Sequence, residues 1–330
     1  MKTFPDNKDK IFSISSIDEF NDIALEIFHY QYDNCELYRC FVNYLGVKLN
    51  DVNHFKKIPF LPIEFFKNRR IYSSSKPVDK IFRSSGTTSS ELSNHHIADL
   101  SVYYKSFRTC FELFYGNISN YCVLALLPSY LERQSSSLIF MVEDMINRSN
   151  DENSGFYLDN FQQLAEKLKE LNSKNRKVLL IGVTFALLDL AEKYSFKLSD
   201  IIVMETGGMK GQRKEITRNE VHKILCKCFN INSVHSEYGM TELLSQAYSK
   251  GEGIFHTPPW MKILIRDVND PLTLLECNRT GGINIIDLAN YNSCSFIATQ
   301  DLGKLHHQGS FEVIGRFDAS DIRGCNLLIG

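Results

Sequence analysis

Two short stretches of the sequence carry side chains suited to nucleotide chemistry. The first is rich in hydroxyl groups and consists of Ser84, Ser85, Gly86, Thr87, Thr88 and Ser89. Hydroxyls and free backbone N–H groups on a glycine turn can wrap a polyphosphate. The second stretch, residues 236–242, places the hydroxyl of Thr241 beside the carboxylate of Glu242. That pair suits a phosphate oxygen and its Mg²⁺, because Mg²⁺ binds one or two carboxylates and fills its other positions with phosphate and water.

The hydroxyl-rich stretch by itself also fits an ordinary loop, because clusters of Ser, Thr and Gly commonly mark loops. It lacks the Gly-Lys-Ser/Thr ending of a P-loop, so no lysine follows to meet the β- and γ-phosphates. A kinase or GTPase is therefore disfavoured. The sequence also has no Gly-x-Ser-x-Gly elbow, which argues against an α/β-hydrolase. His95 and His96 are expected in a loop, and His235 fits either a core position or an acyl pocket.

Composition limits the remaining classes. The 330 residues are 43% hydrophobic, which is enough for a large core, and we expect one large domain built of subdomains. The 37 basic and 39 acidic residues give a formal charge of −2, so the charge pattern predicts no nucleic-acid or anionic-lipid surface. The nine cysteines lack paired CxxC spacing, which predicts reduced thiols rather than a disulfide framework or a structural zinc.

The first residues of the sequence lack the apolar stretch of a signal peptide, and no later stretch reaches the length of a membrane span. We therefore expect a cytoplasmic protein.

The pattern of apolar residues predicts the elements that must hold the two stretches. Residues 16–45 have helical spacing, and a proline-containing segment at 58–67 is expected to lie extended against the core. Strands and helices then alternate, which predicts a parallel sheet with helices on its faces. The predicted strands are 80–83, 121–127, 177–183 and 200–204, and the predicted helices are 100–114, 135–147, 161–171, 185–194 and 217–229. Beyond residue 253, strands at 260–268, 282–287 and 311–314 indicate a small β-subdomain.

Four motifs in order resemble the adenylate-forming superfamily of acyl, aryl and aminoacyl ligases. They are the hydroxyl-rich stretch, the Tyr-Gly-Met-Thr-Glu run at 238–242, the Thr-Gln-Asp-Leu-Gly run at 299–303 and the Gly-Arg-Phe-Asp run at 315–318. Three further segments make the resemblance more specific, to the acyl-protein synthetase branch, the LuxE-type proteins of bacterial luminescence systems. These segments are residues 58–67, 127–138 and 206–211. The resemblance runs from about residue 58 to the end of the sequence.

This resemblance implies an α/β fold, namely the large domain of an adenylate-forming enzyme with mostly parallel sheets flanked by helices and a small β-subdomain. We expect a helical N-terminal extension over 1–57, the catalytic domain over 58–314, and a hinge with a short tail over 315–330. Members of the superfamily usually continue past the hinge into a mobile lid domain that supplies a lysine. Since the sequence stops at Gly330, we expect the lid to be missing.

The resemblance also implies a role for each matching residue. The hydroxyl-rich stretch, Ser84 to Ser89, would hold the β- and γ-phosphates of ATP, Thr241 would bind the α-phosphate, and Glu242 would hold Mg²⁺. Asp301 would accept hydrogen bonds from the ribose, and Arg316 would meet ribose or phosphate. The residues expected around the adenine are Gly207, Gly208, Tyr238 and Gly239. Taken alone, Asp301 would fit a turn and Arg316 a surface ion pair.

Acyl-protein synthetases carry the activated acyl group on a cysteine near the C-terminus, and Cys325 stands at the matching place. Arg323 could lower the pKa of its thiol. The other interpretation of Cys325 is a small apolar residue in a terminal strand.

The activity that the resemblance implies is an ATP-dependent long-chain-fatty-acid–protein ligase. It would form acyl-AMP from a carboxylic acid, move the acyl group to its own cysteine, and pass it to a partner such as an acyl reductase or acyltransferase. Two alternatives stay open. One is a ligase that acylates coenzyme A or a carrier protein directly, and the other is a non-catalytic nucleotide-binding assembly subunit. Acyl chain length and oligomeric state cannot be read from the sequence.

Overall fold

The computed structural model describes residues 8–84, 92–128, 135–199, 201–207 and 216–317. The helices in these ranges are α1 (Asp9–Phe12), α2 (Ile17–Asn34), α3 (Glu36–Tyr44), α4 (Phe65–Asn68), α5 (Leu100–Tyr115), α6 (Ser137–Ser149), α7 (Phe161–Ser173), α8 (Thr184–Lys193) and α9 (Arg218–Phe229). The strands are β1 (Leu61–Pro62), β2 (Lys80–Arg83), β3 (Asn94–Ile97), β4 (Cys122–Leu126), β5 (Gly155–Phe156), β6 (Val178–Gly182), β7 (Ile201–Glu205), β8 (His235–Tyr238), β9 (Ala247–Ser249), β10 (Ile254–His256), β11 (Met261–Arg266), β12 (Thr280–Asp287), β13 (Phe296–Leu305) and β14 (Phe311–Arg316). No helix in the described ranges is long and apolar enough to cross a membrane.

The chain divides into two compact units. The central unit consists of Lys80–His95 and Asp99–Pro258. The terminal unit combines the segment up to Asp79, His96–Ala98 and the segment from Pro259 onward.

The sheet of the central unit has the strand order β10-β9-β8-β7-β6-β4-β5. Strands β5, β4, β6, β7 and β8 run parallel, and β9 and β10 are antiparallel. Every residue of β4 and β6 is buried, as expected for parallel strands covered on both faces. The predicted alternation of helices with parallel strands is confirmed, with bounds that differ by at most two residues, except that the predicted strand at 80–83, β2, lies outside this sheet and pairs with β3 in a separate two-stranded sheet.

Helix α9 of the central unit begins at a capping box. The Thr217 side chain accepts from the Glu220 N–H, and the Glu220 carboxylate accepts from the Thr217 N–H at 2.8 Å. These bonds satisfy N–H groups that have no partner within the helix. The start of α9 is therefore fixed locally, as the sequence predicted.

The terminal unit contains an antiparallel sheet in the order β11-β12-β13-β14, with β1 added parallel to β13. The predicted helical segment 16–45 is two helices, because Cys35 adopts an extended conformation between α2 and α3. The buried Gln31 side chain of α2 donates to the carbonyl oxygens of Asn290 and Tyr291, and its oxygen accepts from the Ser295 N–H. The first helices are thus integrated with the C-terminal strands.

Candidate active site

The Thr241 turn follows β8 in the central unit. Glu242 is buried, and Thr241 is half-buried. The Tyr238 ring is also buried, with its centroid 5.8 Å from that of Phe255. A Cβ atom at Gly239 would collide with the Glu237 carboxylate, so a larger residue at this position would displace that side chain.

One end of the hydroxyl-rich stretch lies beside the Thr241 turn. Ser84 pairs with Ser93, donating its N–H to the Ser93 carbonyl at 3.1 Å and accepting the Ser93 N–H on its Oγ at 3.0 Å. Two residues farther on, the His95 ring Nδ1 lies 2.8 Å from the carbonyl oxygen of Thr241. Because a carbonyl only accepts, Nδ1 carries the hydrogen. The predicted phosphate-binding residues Ser85, Gly86, Thr87, Thr88 and Ser89 lie outside the described residues.

His95 corrects a sequence-based expectation. We expected a loop at His95 and His96, but both residues belong to β3 and the His95 side chain is fully buried. The short polar run Asn-His-His-Ile hides the alternation of buried and half-buried positions along the strand.

A second turn, at Gly207, follows β7. Gly207 has a φ of 75°, a left-handed conformation that favours glycine. Strands β7 and β8 are parallel neighbours with Glu205 opposite Ser236, so Gly207 and Tyr238 leave the sheet at the same edge. In open α/β sheets, ligands bind at the carboxyl ends of the strands. Gly208, the second predicted glycine, lies outside the described residues.

The Glu205 carboxylate links the Gly207 turn to two helices. Its Oε2 atom accepts from the Thr184 hydroxyl at 2.9 Å and from the Gly207 N–H at 2.7 Å. Its Oε1 atom lies 3.4 Å from Arg218 Nε and 3.8 Å from His222 Nε2. Glu205 was not predicted from the sequence, although a carboxylate ending an apolar strand is a signal for such a role.

The pKa of Glu205 reflects these contacts. Its side chain is only 4% exposed, and burial by itself would raise the pKa. Four neighbouring side chains oppose burial and lower the pKa to about 2: His222, Arg218, Ser236 and Thr184. Glu205 is therefore ionised at neutral pH.

Glu237 on β8 behaves in the opposite way. Burial, with a smaller contribution from the negative charge of Glu205, raises the pKa of Glu237 to about 8. Glu237 is therefore largely protonated at pH 7. Two buried oxygen atoms have no hydrogen-bond partner among the described residues: Tyr248 Oη on the neighbouring strand β9, and Oε1 of Gln246, the residue before that strand.

His235, at the start of β8, is half-buried. Its Nδ1 lies 3.1 Å from the Tyr115 hydroxyl. Burial, aided by the charge of Lys250, lowers the pKa of His235 to about 4. The ring is therefore neutral at physiological pH.

Asp301 and Arg316 form a pair in the terminal unit. They are direct partners on β13 and β14, with Arg316 Nε 3.4 Å from Asp301 Oδ1. The Arg316 side chain is 73% exposed and that of Asp301 is 14% exposed. Asp301 lies within a ten-residue strand and not in a turn. The guanidinium remains open to solvent and to a ligand.

Within each unit the structure places some of the predicted residues near one another. In the central unit, His95 bonds to Thr241, Ser84 bonds to Ser93, and Gly207 and Tyr238 lie at one sheet edge. The terminal unit pairs Asp301 with Arg316. Cys325 lies outside the described residues.

Comparison with known proteins identifies the family. A sequence model described as acyl-protein synthetase, LuxE, matches residues 117–330. The chain belongs to the LuxE acyl-protein synthetase family. The membership that the motifs predicted is thus confirmed. No curated protein is significantly similar to this LuxE-family chain in sequence.

The fold of this LuxE-family chain is also found in solved structures. ATP-bound MatB from Rhodopseudomonas palustris aligns with a TM-score of 0.55 and 14% identity over 74% of this chain and 49% of MatB. A 2-hydroxyisobutyryl-CoA ligase in complex with 2-HIB-AMP and CoA aligns with a TM-score of 0.63 and 10% identity over 92% of this chain and 68% of the ligase. This likeness concerns the fold and confirms the predicted adenylate-forming α/β architecture. The chain spans about half the length of MatB.

Proposed function

We propose that this protein uses ATP to activate a carboxylic acid, with fatty acids as the substrate class, as an acyl-AMP. The acyl group then moves to Cys325 and on to an acyl-accepting partner protein such as a reductase or acyltransferase. The observation that carries the proposal is the hydrogen bond from His95 to Thr241, which holds the start of β3 against the Thr241–Glu242 turn. Family membership supports the same chemistry.

In the first step, a carboxylate oxygen of the acid attacks the α-phosphorus of ATP. The bond between the α-phosphorus and the bridging oxygen breaks, and pyrophosphate leaves. The hydroxyl-rich stretch holds the departing phosphates, and the Thr241 hydroxyl donates to the α-phosphate. Catalysis by these groups is positioning and charge stabilisation, because no covalent enzyme residue is needed.

Glu242 is the residue that would hold Mg²⁺. A single carboxylate next to a hydroxyl fits this ion, because most of the ligands of Mg²⁺ come from phosphate and water. When bound, Mg²⁺ neutralises charge on the phosphate oxygens. Glu242 itself is buried, so its position is set before the nucleotide arrives.

Each remaining predicted residue has a role toward the nucleoside. Asp301 accepts from the ribose hydroxyls, and the exposed Arg316 guanidinium donates to ribose or phosphate. The backbone of Gly207 and Gly208 approaches the adenine, and Tyr238 and Gly239 line it. Tyr238 is fixed against Phe255, which gives it a defined orientation.

In the second step, the Cys325 thiolate attacks the carbonyl carbon of the acyl-AMP. The sulfur–carbon bond forms, the carbonyl carbon–phosphate oxygen bond breaks, AMP leaves, and the thiol proton goes to solvent. Transfer from this thioester to the partner releases the cysteine for the next cycle.

Isotope exchange between pyrophosphate and ATP tests the first step. Exchange should depend on added fatty acid and Mg²⁺, and Glu242→Gln should reduce its rate at least 100-fold because the carboxylate that holds the ion is removed. A matched control is Glu252→Gln, at an exposed position of the same unit. Absence of exchange with acids of every chain length would refute adenylation.

Labelling with radioactive fatty acid tests the second step. The expected label is released by hydroxylamine and disappears in Cys325→Ala. Cys40→Ala is the control, because Cys40 is an exposed cysteine. A hydroxylamine-labile label that persists in Cys325→Ala would overturn the cysteine assignment and leave adenylation intact.

A second candidate function is acylation of coenzyme A or of a carrier-protein thiol. The fold likeness to a ligase solved with CoA favours it. Product analysis with and without CoA separates the two functions: an acyl-CoA product formed by Cys325→Ala at the wild-type rate supports the second candidate.

A further inference from the structure

The carboxylate of Glu205 fixes the turn at Gly207 on one side. Its Oε2 atom accepts two hydrogen bonds at once, from the Gly207 N–H at 2.7 Å and from the Thr184 hydroxyl at 2.9 Å. Thr184 is the first residue of α8, directly beyond β6. The same oxygen therefore ties the ends of two neighbouring parallel strands together.

The other carboxylate oxygen reaches the start of α9. Arg218 is the first residue of that helix, and its Nε lies 3.4 Å from Glu205 Oε1. The Arg218 guanidinium also lies over the Phe255 ring at 5.1 Å, which is part of the packing around Tyr238. A buried carboxylate with these partners has a single defined position, because displacing it would leave a charge unpaired in the interior.

These contacts decide which groups the turn can offer to a ligand. The Thr206 N–H donates to the Gly182 carbonyl at 3.0 Å, and the Gly207 N–H donates to Glu205. Both N–H groups are therefore used within the protein. The carbonyl oxygens are therefore the only backbone hydrogen-bonding groups that Thr206 and Gly207 can offer to a ligand, which would have to supply the donor.

We propose that Glu205 is a positioning residue for the nucleotide base. By binding the Gly207 N–H, the Glu205 carboxylate orients the Gly207 backbone so that its carbonyl acceptors face the 6-amino group of adenine. This inference rests on the proposed function, since it assigns the Gly207 turn to ATP. Glu205 touches neither the base nor the reacting atoms. It acts by holding the N–H of Gly207 toward its own carboxylate and so away from the ligand.

The alternative is that Glu205 merely stabilises the fold. If Glu205 only stabilises the fold, its replacement lowers the free energy of unfolding and does not change the preference of the folded protein for one nucleotide over another. If Glu205 positions the backbone, its replacement specifically weakens the binding of ATP. Inosine triphosphate (ITP) is the matched probe, because it differs from ATP at the 6-position, where a carbonyl replaces the amino group.

The experiment measures dissociation constants of Mg·ATP and Mg·ITP by calorimetry, so that the readout does not depend on turnover. The main variant is Glu205→Gln. Its amide has one acceptor oxygen and one NH₂ group, so it cannot serve both the Gly207 N–H and the Arg218 side chain. The matched control is Glu170→Gln, because Glu170 is a partly exposed helix residue whose ion pairs with Lys167 and Lys174 also hold its pKa at about 2.

We expect Glu205→Gln to weaken ATP about 10-fold, the cost of about one hydrogen bond, and to change ITP binding less than twofold. Glu170→Gln should change neither constant. If Glu205→Gln does not fold, Thr184→Val serves instead, because it removes one donor to the same oxygen and should weaken ATP about threefold with ITP unchanged. Equal losses for ATP and ITP, or no loss for ATP in a folded variant, would overturn the positioning role. Failure of the wild-type protein to bind ATP would instead overturn the proposed function, and this inference with it.

Discussion

At the scale of single residues, the buried Glu237 makes stability depend on pH. The pKa of Glu237 is about 8 in the folded protein, above its ordinary value of 4.5. Between these values the unfolded chain is ionised while the folded chain keeps the proton. The stability contribution of the neutral carboxyl is therefore complete below about pH 4.5 and is lost as the pH rises toward 8.

We predict that Glu237→Gln removes this dependence. The free energy of unfolding of the wild type minus that of the variant should fall by about 1.4 kcal/mol per pH unit between pH 5 and 7. The reason is that the folded wild-type chain binds one more proton than the unfolded chain in this range. Urea unfolding at pH 5, 6 and 7 measures it. Glu205 does not interfere in that window, because its pKa of about 2 means that its contribution is lost only as the pH falls below about 4.5. Parallel stability curves for the two proteins would contradict the burial of a neutral carboxyl.

Single residues also show where the sequence is informative. Thr241 and Glu242 were predicted because they form a contiguous motif with Tyr238 and Gly239. Glu205 and His95 were not predicted, since their roles depend on contacts beyond their own motifs, for Glu205 with Thr184 and Arg218 as well as the nearby Gly207. The His95 partner is Thr241, 146 positions away, and spacing along the chain does not encode that contact.

At the scale of elements, a side chain at Gly303 is predicted to destabilise the sheet of the terminal unit. A Cβ atom there would lie 2.5 Å from the Glu312 carbonyl oxygen and 2.6 Å from Ile283, within the β12-β13-β14 sheet. Gly303→Ala should lower the free energy of unfolding by about 1–3 kcal/mol, because backbone must shift. Chemical denaturation measures it. The control is Gly315→Ala on β14, where a Cβ atom meets nothing within 4 Å, and equal effects of the two changes would contradict this packing.

The capping box of α9 gives a second prediction for an element. Thr217→Ala removes the side-chain acceptor for the Glu220 N–H and should cost about 1 kcal/mol of stability. Thr217→Ser keeps the hydroxyl and should restore most of the loss. Thermal or urea unfolding of the three proteins tests this; a serine variant as unstable as the alanine variant would show that the methyl group, not the cap, matters.

Elements differ in how well the sequence predicts them. Strands β4 and β6 were predicted because short, continuous apolar runs mark strands buried on both faces. Strand β13 was missed, because its centre carries Thr299, Gln300 and Asp301 and its register shifts between Leu302 and Gly303. Polar residues and a bulge remove the period-two signal, so it is pairing with β1, β12 and β14 that defines this strand.

At the scale of the whole molecule, nucleotide binding should stabilise the chain. At an ATP concentration 100 times its dissociation constant, with Mg²⁺, the free energy of unfolding should rise by about 2.7 kcal/mol. Urea unfolding with and without nucleotide measures the rise. In Glu242→Gln the part of this rise that depends on Mg²⁺ should vanish, whereas Glu252→Gln should behave like the wild type. If ATP leaves the free energy of unfolding of the wild-type protein unchanged, the proposed nucleotide site is contradicted.

The Gln31 contact has a consequence for synthesis of the protein. The amide of this α2 residue finds its partners only at Asn290, Tyr291 and Ser295, 259–264 positions later. During translation, the Gln31 amide therefore lacks these partners until nearly the whole chain has left the ribosome, whereas Phe20 and Phe28 of the same helix have aromatic partners much earlier in the chain, at Phe55 and Tyr38. The aromatic residues can cover part of this helix early, and a pause in synthesis near residue 290 would prolong only the time that the Gln31 amide spends without its partners.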